Sequence, residues 1–467
     1  MADFIQALSD WLWTYILIGA LLGCGIYFTI RTRGVQFRLF GESVRIMLGR
    51  DKIAEGEGGG RRSKVGSFQA FAVSLASRVG TGNLAGVASA IFIGGPGSIF
   101  WMWVMALLGS ATAFMEATLA QLFKKRGRDS FYGGPAYYME TGLGRRWMGI
   151  VFSILMIFTF SVANQTVQSN TLSAALADTF SISQLWVGVV VAALTVLIIS
   201  GGIKRISSFT SILVPIMALG YILFAIYAIF ANLSAVPSML RLIVDCAFGF
   251  DQAAGGAVGM AIITGVRRGL FSNEAGEGSA PNAAAIADTS HPVKQGLIQS
   301  LGVFVDTIII CTCTAFIILL SGVYDCGEDG IILTSRAFES HIGVFGKYFL
   351  TAAIFLFAFS TMIANYYYGE SNILFMTRKK WAVWTLRIAT FFILTAGAIL
   401  PLQTTWRMVD LWMAFLTTLN LCALLLLSGK VFRLLSDYTS QKKRGIKEPV
   451  FHKEQTLPEI QDRLECW

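Results

Sequence analysis

Between Ser74 and Ile91 the chain reads SLASRVGTGNLAGVASAI, which places an arginine, an asparagine and three glycines inside a long apolar run. Glycine in a helix interior costs about 1 kcal/mol relative to alanine, so the run is expected to break at Gly80, Thr81 and Gly82. A break frees amide N–H groups at the start of the outer half-helix and carbonyls at the end of the inner one. The amides suit a carboxylate; the carbonyls suit a cation or an ammonium group. Such backbone is tolerated at membrane depth only where it is buried in protein or lines a cavity. A second glycine-interrupted stretch, FDQAAGGAVGMAIITG, carries Gly255, Gly256, Gly259 and Met260. Two matched breaks would offer a zwitterion both complements, at about 0.3 to 2 kcal/mol per helix end. Gly82 and Gly86 also form a GxxxG pair, so close helix packing is the alternative reading.

The elements that position these groups follow from composition. The 467 residues are 55% hydrophobic and 14% charged, with a mean hydropathy of +0.63. Soluble domains run near a quarter charged, so the pattern is that of an all-α, polytopic membrane protein. Apolar runs predict about eleven transmembrane helices, at residues 11–30, 68–93, 98–123, 147–176, 184–201, 208–231, 247–270, 295–322, 346–375, 381–400 and 406–428. The expected organisation is a leading helix with a charged linker (1–67), two five-helix repeats (68–231 and 232–429) and a C-terminal tail (430–467). Five spans per half forces the second half upside down, an inverted repeat with its first helix unwound in each half.

The net charge of +9 is explained by position rather than by nucleic acid. Basic residues cluster in alternate segments: Arg31 to Lys64, Lys124 to Arg128 with Arg145 and Arg146, Lys204 and Arg205, Arg267 and Arg268, Arg378 to Lys380, and the tail after Lys430. The positive-inside rule makes these cytoplasmic, with the N-terminus outside, the C-terminus inside, and the plasma (inner) membrane as location. No basic segment precedes the first span, so it reads as a retained helix rather than a signal peptide. The seven cysteines and three histidines have no zinc spacing, and no enzyme motif such as GxxxxGKS or HExxH occurs. A channel would need a continuous polar lining and a sensor a signalling domain; neither is read here. No cofactor is expected.

VGTGNLAGVASAI, GGPGSIFWMWVMALLG (Gly94 to Gly109), GGPAYYM (Gly133 to Met139) and GLFSNEAGEGSAPNAAA (Gly269 to Ala285) resemble the alanine or glycine:cation symporters, also called sodium:alanine symporters. The resemblance covers roughly residues 11 to 440 and implies a leucine-transporter-like fold. It further implies secondary active symport of alanine or glycine with a co-transported cation, sodium first and proton as the alternative. Other solutes on the same fold remain a second reading. Substrate contacts are implied at Gly80, Thr81 and Gly82, and across the other break at Gly255, Gly256 and Met260. Asn164 and Gln165, in FSVANQTVQSN, are polar residues on the helix that flanks the site in this fold. Cation contacts are implied at Asn83, and at the Ala76 and Val79 carbonyls with the Ser360 and Thr361 hydroxyls.

Two residues depart from the family's pattern. Arg78 stands where many relatives carry a small residue. Arginine at depth costs at least about 2.5 kcal/mol and needs a partner, for which Glu116 and Asp306 are the candidates. It is read as part of an inner gate, or else as a cation standing in the second sodium site. Glu277 in NEAGEGS stands where an apolar residue is more usual, and is expected to be solvated near the cytoplasmic end.

Overall fold

The computed structural model describes residues 2–48, 65–127, 130–249 and 255–467. Most of the linker expected at 50–66 and the residues 250–254 of the second glycine-rich stretch lie outside the described residues. Among the described residues, seven helices are long and apolar enough to cross a membrane: α1 (Ala7–Arg31), α5 (Gly97–Leu122), α7 (Arg146–Phe180), α9 (Gly202–Ala231), α13 (Pro292–Leu320), α15 (Val344–Met376) and α17 (Leu402–Lys443). Between them lie α2 (Phe40–Met47), α3 (Ser67–Arg78), α4 (Gly82–Gly94), α6 (Pro135–Leu143), α8 (Gln184–Ile199), α10 (Val236–Phe248), α11 (Gly255–Asn273), α12 (Ala280–Ala284), α14 (Gly330–Ile342) and α16 (Lys380–Gly397). Strands β1 (Lys125–Arg126) and β2 (Phe131–Tyr132) form a small antiparallel ribbon.

Helix α5 is the central post. Its 26 residues extend about 39 Å at 1.5 Å per residue, and it packs along α11 and α13. With few charges to solvate, it buries nearly its whole inner length, from Gly109 to Leu122. Small residues allow the close approach: a β-carbon on Gly296 of α13 would overlap Thr118 of α5. The span expected at 247–270 is corrected. Helix α10 ends at Phe248, where Gly249 takes a φ of 70°, and a separate helix, α11, covers Gly255–Asn273.

Four spans contain wider, π-helical turns: Leu12–Leu17, Gly82–Gly86, Ile157–Asn164 and Phe304–Cys311. Such turns leave the regular hydrogen-bond ladder and concentrate at functional positions. Here they carry Asn83, Asn164 and Asp306.

The tail does not hang free. Helix α17 continues to Lys443, and the residues beyond it fold back over the end of the bundle that holds Arg31 and Arg45. Leu457 and Leu464 are buried. Phe451 N donates to Ser290 O at 2.9 Å. Lys294 pairs with Glu448 at 2.8 Å, and Arg45 reaches the same carboxylate at 3.0 Å. Trp467 Nε1 donates to the Gln121 and Leu122 carbonyls at 3.1 and 3.2 Å, and its ring lies 4.7 Å from Lys124 Nζ. These groups stabilise docking by about 2 kcal/mol. Trp467→Ala is therefore expected to raise local opening of residues 446–467 roughly 30-fold. Amide hydrogen exchange that speeds up in this segment and not in α5 is the measurement; unchanged exchange would mean the ring contributes nothing.

Candidate functional site

Helix α3 stops at Arg78. Val79 takes a ψ of 85°, and helical backbone resumes at Thr81. The first break therefore lies at Val79 and Gly80 and meets the expected GTG only at Gly80, because Thr81 and Gly82 are already helical. Two freed amides are taken by side chains: Gly80 N donates to Asn83 Oδ1 at 2.9 Å and Thr81 N to Gln168 Oε1 at 3.1 Å. The freed carbonyls face α15. Thr361 Oγ1 lies 2.8 Å from Ala76 O, 3.4 Å from Val79 O and 3.0 Å from Phe357 O. One hydroxyl proton serves one acceptor at a time, so this cage has more lone pairs than protons and suits a hard cation. Ser360 does not join it. Its hydroxyl donates to Phe357 O at 2.9 Å and lies 3.6 Å from Met217 Sδ on α9, the usual back-bond of a hydroxyl to its own helix.

The second break is not where the glycines of GGAVG suggested. Helix α11 runs unbroken from Gly255 through Gly256 and Met260. Met260 is 45% exposed, and a β-carbon on Gly256 would meet nothing. The exposed start of a helix tolerates glycine without breaking. The chain instead unwinds between Asn273 and Ala280, in NEAGEGS, where Glu274, Gly276 and Gly278 have φ of 57°, 102° and 79°. A positive φ is strained for glutamate and is held by surrounding partners. Glu274 accepts from Ser77 and Ser279 at 2.5 Å each. Glu116 of α5 accepts from Gly276 N at 3.4 Å, Gly278 N at 3.2 Å and Asn420 Nδ2 at 3.0 Å. It thus serves the freed amides of the break.

The two breaks touch. A β-carbon on Gly82 would stand 3.0 Å from the Phe271 ring and 3.2 Å from Ser272 Cα. Asp306 links them, accepting from Asn83 Nδ2 at 2.7 Å and from Ser272 and Thr307 hydroxyls at 2.8 Å each. Neither Asp306 nor Glu116 pairs with Arg78, as had been expected. The buried guanidinium donates to Gln299 O at 3.1 Å, and its Nε and Nη2 have no hydrogen-bond partner. It points at α13 beside Gly302, not into the Ala76 and Val79 cage. Glu277 is corrected too: it is 2% exposed, because the unwound segment is packed against Ser77 of α3, Glu116 of α5 and Asn420 of α17.

The match to the sodium:alanine symporter family model runs over residues 1–453. The chain belongs to that family. This symporter is 48% identical over 460 residues to the probable sodium/glutamine symporter GlnT of Bacillus subtilis (strain 168), covering 98% of this chain and 94% of that one. It is also 48% identical to the amino-acid carrier protein AlsT of the same organism, covering 100% and 98%. The sodium/proton-dependent alanine carrier protein of Bacillus sp. (strain PS3) is 36% identical, covering 84% and 92%. Among solved structures, MhsT in complex with L-phenylalanine matches with a TM-score of 0.55 at 13% identity, over 87% of this chain and 97% of that one. That likeness establishes the leucine-transporter-like fold. The symporter is thus a multi-pass, secondary amino acid and cation transporter rather than an enzyme.

Around the symporter's first break it is Gln168, rather than Asn164 or Gln165, that reaches the freed backbone. Gln165 Nε2 donates to Met362 O at 2.8 Å, away from the break, and Asn164 Oδ1 holds Gln168 Nε2 at 2.8 Å. Gln168 lies four residues after Asn164, on the same helix face, so spacing could have found it. Phe271, Ser272 and Trp406 were also missed. Trp406 packs against Phe271 with ring centroids 4.8 Å apart, and it approaches Gly86. Above it, Arg268 stacks at 4.1 Å and pairs with Asp410 at 2.6 Å. A cavity of about 640 Å³, lined by Asp10, Arg267, Arg407 and Asp329 among others, opens beyond this pair. Arg267 and Arg268 are therefore inside α11 near the N-terminal end of the bundle, not in a basic loop.

Proposed function

We propose that this symporter imports a small neutral amino acid, alanine or glycine, together with sodium by alternating access. The observation that carries the reading is the cage of Ala76, Val79 and Thr361 oxygens at the first break, directly beside Gly80 and Thr81. A cation there stands next to the break that would hold the substrate's carboxylate end. Asp306, Ser272 and Thr307 form a second oxygen-rich cluster beside Asn83, which joins the helices of both breaks and suits a second cation. Phe271 and Trp406 wall the space by Gly82 and Gly86, which favours a small side chain over one the size of glutamine. The Thr81 hydroxyl, buried and without a partner, is the group left for the substrate.

The basic end with Arg31, Arg45 and the tail is the cytoplasmic one on this reading, so the N-terminus is outside. The Arg268–Asp410 pair then closes the outer side, while Glu274, Glu116 and the tail close the inner side. The facing breaks at Gly80 and Glu274 support two inverted repeats that rock against each other. Each co-transported charge contributes about 2.3 kcal/mol per 100 mV, roughly 50-fold accumulation, before its own gradient counts.

Uptake of labelled alanine into proteoliposomes tests this. An imposed sodium gradient is expected to drive uptake and an equal proton gradient to drive none. Excess glycine or serine should compete, and glutamine should compete poorly. Uptake indifferent to sodium, or glutamine as the better competitor, would overturn the ion or the substrate respectively.

A further inference from the structure

Three carboxyl groups are buried at the second break: Glu274 and Glu277 lie on the unwound segment itself, and Glu116 of α5 accepts from its amides. The charged groups that act on Glu277 are Glu274 on its own segment, Glu116 from α5 and Arg78 from α3, with Tyr138 of α6 beside Glu116 and Tyr368 of α15 beside Glu274. Arg78 is the single cation in that set. Three carboxylates against one guanidinium would leave uncompensated negative charge in a dry interior, which costs several kcal/mol per ion. Two of the three are supplied with hydrogen-bond donors. Glu116 receives three N–H donors, and Glu274 receives two hydroxyls. Glu277 is different: its Oε1 is buried and accepts no hydrogen bond. Polar groups around the cluster are also left unpartnered, namely Arg78 Nε and Nη2, Asn365 Nδ2 and the Tyr368 hydroxyl. Asn365 is tied into the cluster through Ser77, whose hydroxyl lies 2.8 Å from its Oδ1.

We propose that Glu277 is a proton-binding site which holds its proton while the inner side is closed and exchanges it with the cytoplasm when that side opens. The inference rests on the alternating-access reading and assigns its inner half a titratable group. The Ser77–Glu274 contact ties the inner half-helix α3 to the second break. Opening toward the basic end must part it, and water then reaches Glu277. A hydrated carboxyl gives up its proton near neutral pH. Closing buries the group again and takes the proton back. Acid on the cytoplasmic side therefore favours closing, and alkali opposes it.

Proteoliposomes with separately set internal and external pH test this, with labelled alanine and a fixed sodium gradient. Wild-type uptake is expected to fall as internal pH rises, by up to about tenfold per unit for a single proton, and to ignore external pH. Glu277→Gln, which is permanently neutral, is expected to remove the dependence on internal pH and keep the sodium dependence. Glu277→Met, closer to the family's pattern, serves if the glutamine variant does not fold. Infrared spectra of purified protein give a readout independent of transport: the protonated-carboxyl C=O band of the wild type should be missing from either variant. The same band in variant and wild type, or identical internal-pH profiles, overturns the proposal. Wild-type liposomes that take up no amino acid would instead overturn the transport reading, and the infrared comparison would still decide the proton.

Discussion

Replacing Gly80 by alanine is expected to abolish sodium-driven uptake, a loss of at least about 100-fold, while the protein still folds and inserts. The reason is local and steric. A β-carbon there would overlap Thr361 Oγ1 and come within 3.1 Å of Gln168 Oε1, the two groups that complete the first break. Overpacking of this kind costs about 1 to 3 kcal/mol, and a displacement near 1 Å at a positioned site is enough for roughly a hundredfold loss. Binding separates this from misfolding. Sodium should raise the thermal midpoint of the wild type, because a ligand that binds only the folded state stabilises it. The variant should unfold at a similar temperature without sodium and gain nothing from it. A variant that transports normally would show that Thr361 does not hold the ion.

The second large effect concerns Thr361 itself. Thr361→Val keeps the shape and removes the oxygen, leaving the Ala76 and Val79 carbonyls without their side-chain partner. An unsatisfied buried polar group costs about 1 to 3 kcal/mol, so the sodium concentration for half-maximal uptake should rise roughly 10- to 100-fold. Thr361→Ser should restore most of the affinity. Ser360→Ala, one residue away, should leave the sodium curve nearly where it was, because that hydroxyl is turned toward Met217. Equal shifts at the two positions would mean that the hydroxyls act through helix packing and not through the ion. Sodium titrations of initial uptake rate distinguish these cases.

The first break was legible because its cause is local. Three glycines and a capping asparagine lie within seven residues, and Asn83 caps Gly80 from three positions away. The second was misplaced because GGAVG and NEAGEGS both have the composition of a break. Composition cannot choose between them. Glu116 chooses, from more than 150 residues earlier, by supplying the acceptor that the freed amides of Gly276 and Gly278 need. The same holds for Arg78. Its charge and depth were readable, but its direction was fixed by α13, which offers the Gln299 carbonyl while its one nearby carboxylate, Asp306, is taken by Asn83, Ser272 and Thr307. The tail's short, charged sequence gave no periodic signal, because its contacts are single anchors such as Leu457, Leu464 and Trp467 rather than a helix face.

By itself the sequence determined the membrane class, the family and the break at Gly80, since apolar length, glycine and motif order are properties of short stretches of chain; the Ala76, Val79 and Thr361 oxygens were implied by the family resemblance. Only the tertiary structure decided which stretch opposes that helix, whether Ser360 or Glu277 faces ion, protein or water, and what covers the basic end. Those outcomes depend on which distant groups satisfy a buried charge or amide, and no local pattern encodes a partner hundreds of residues away.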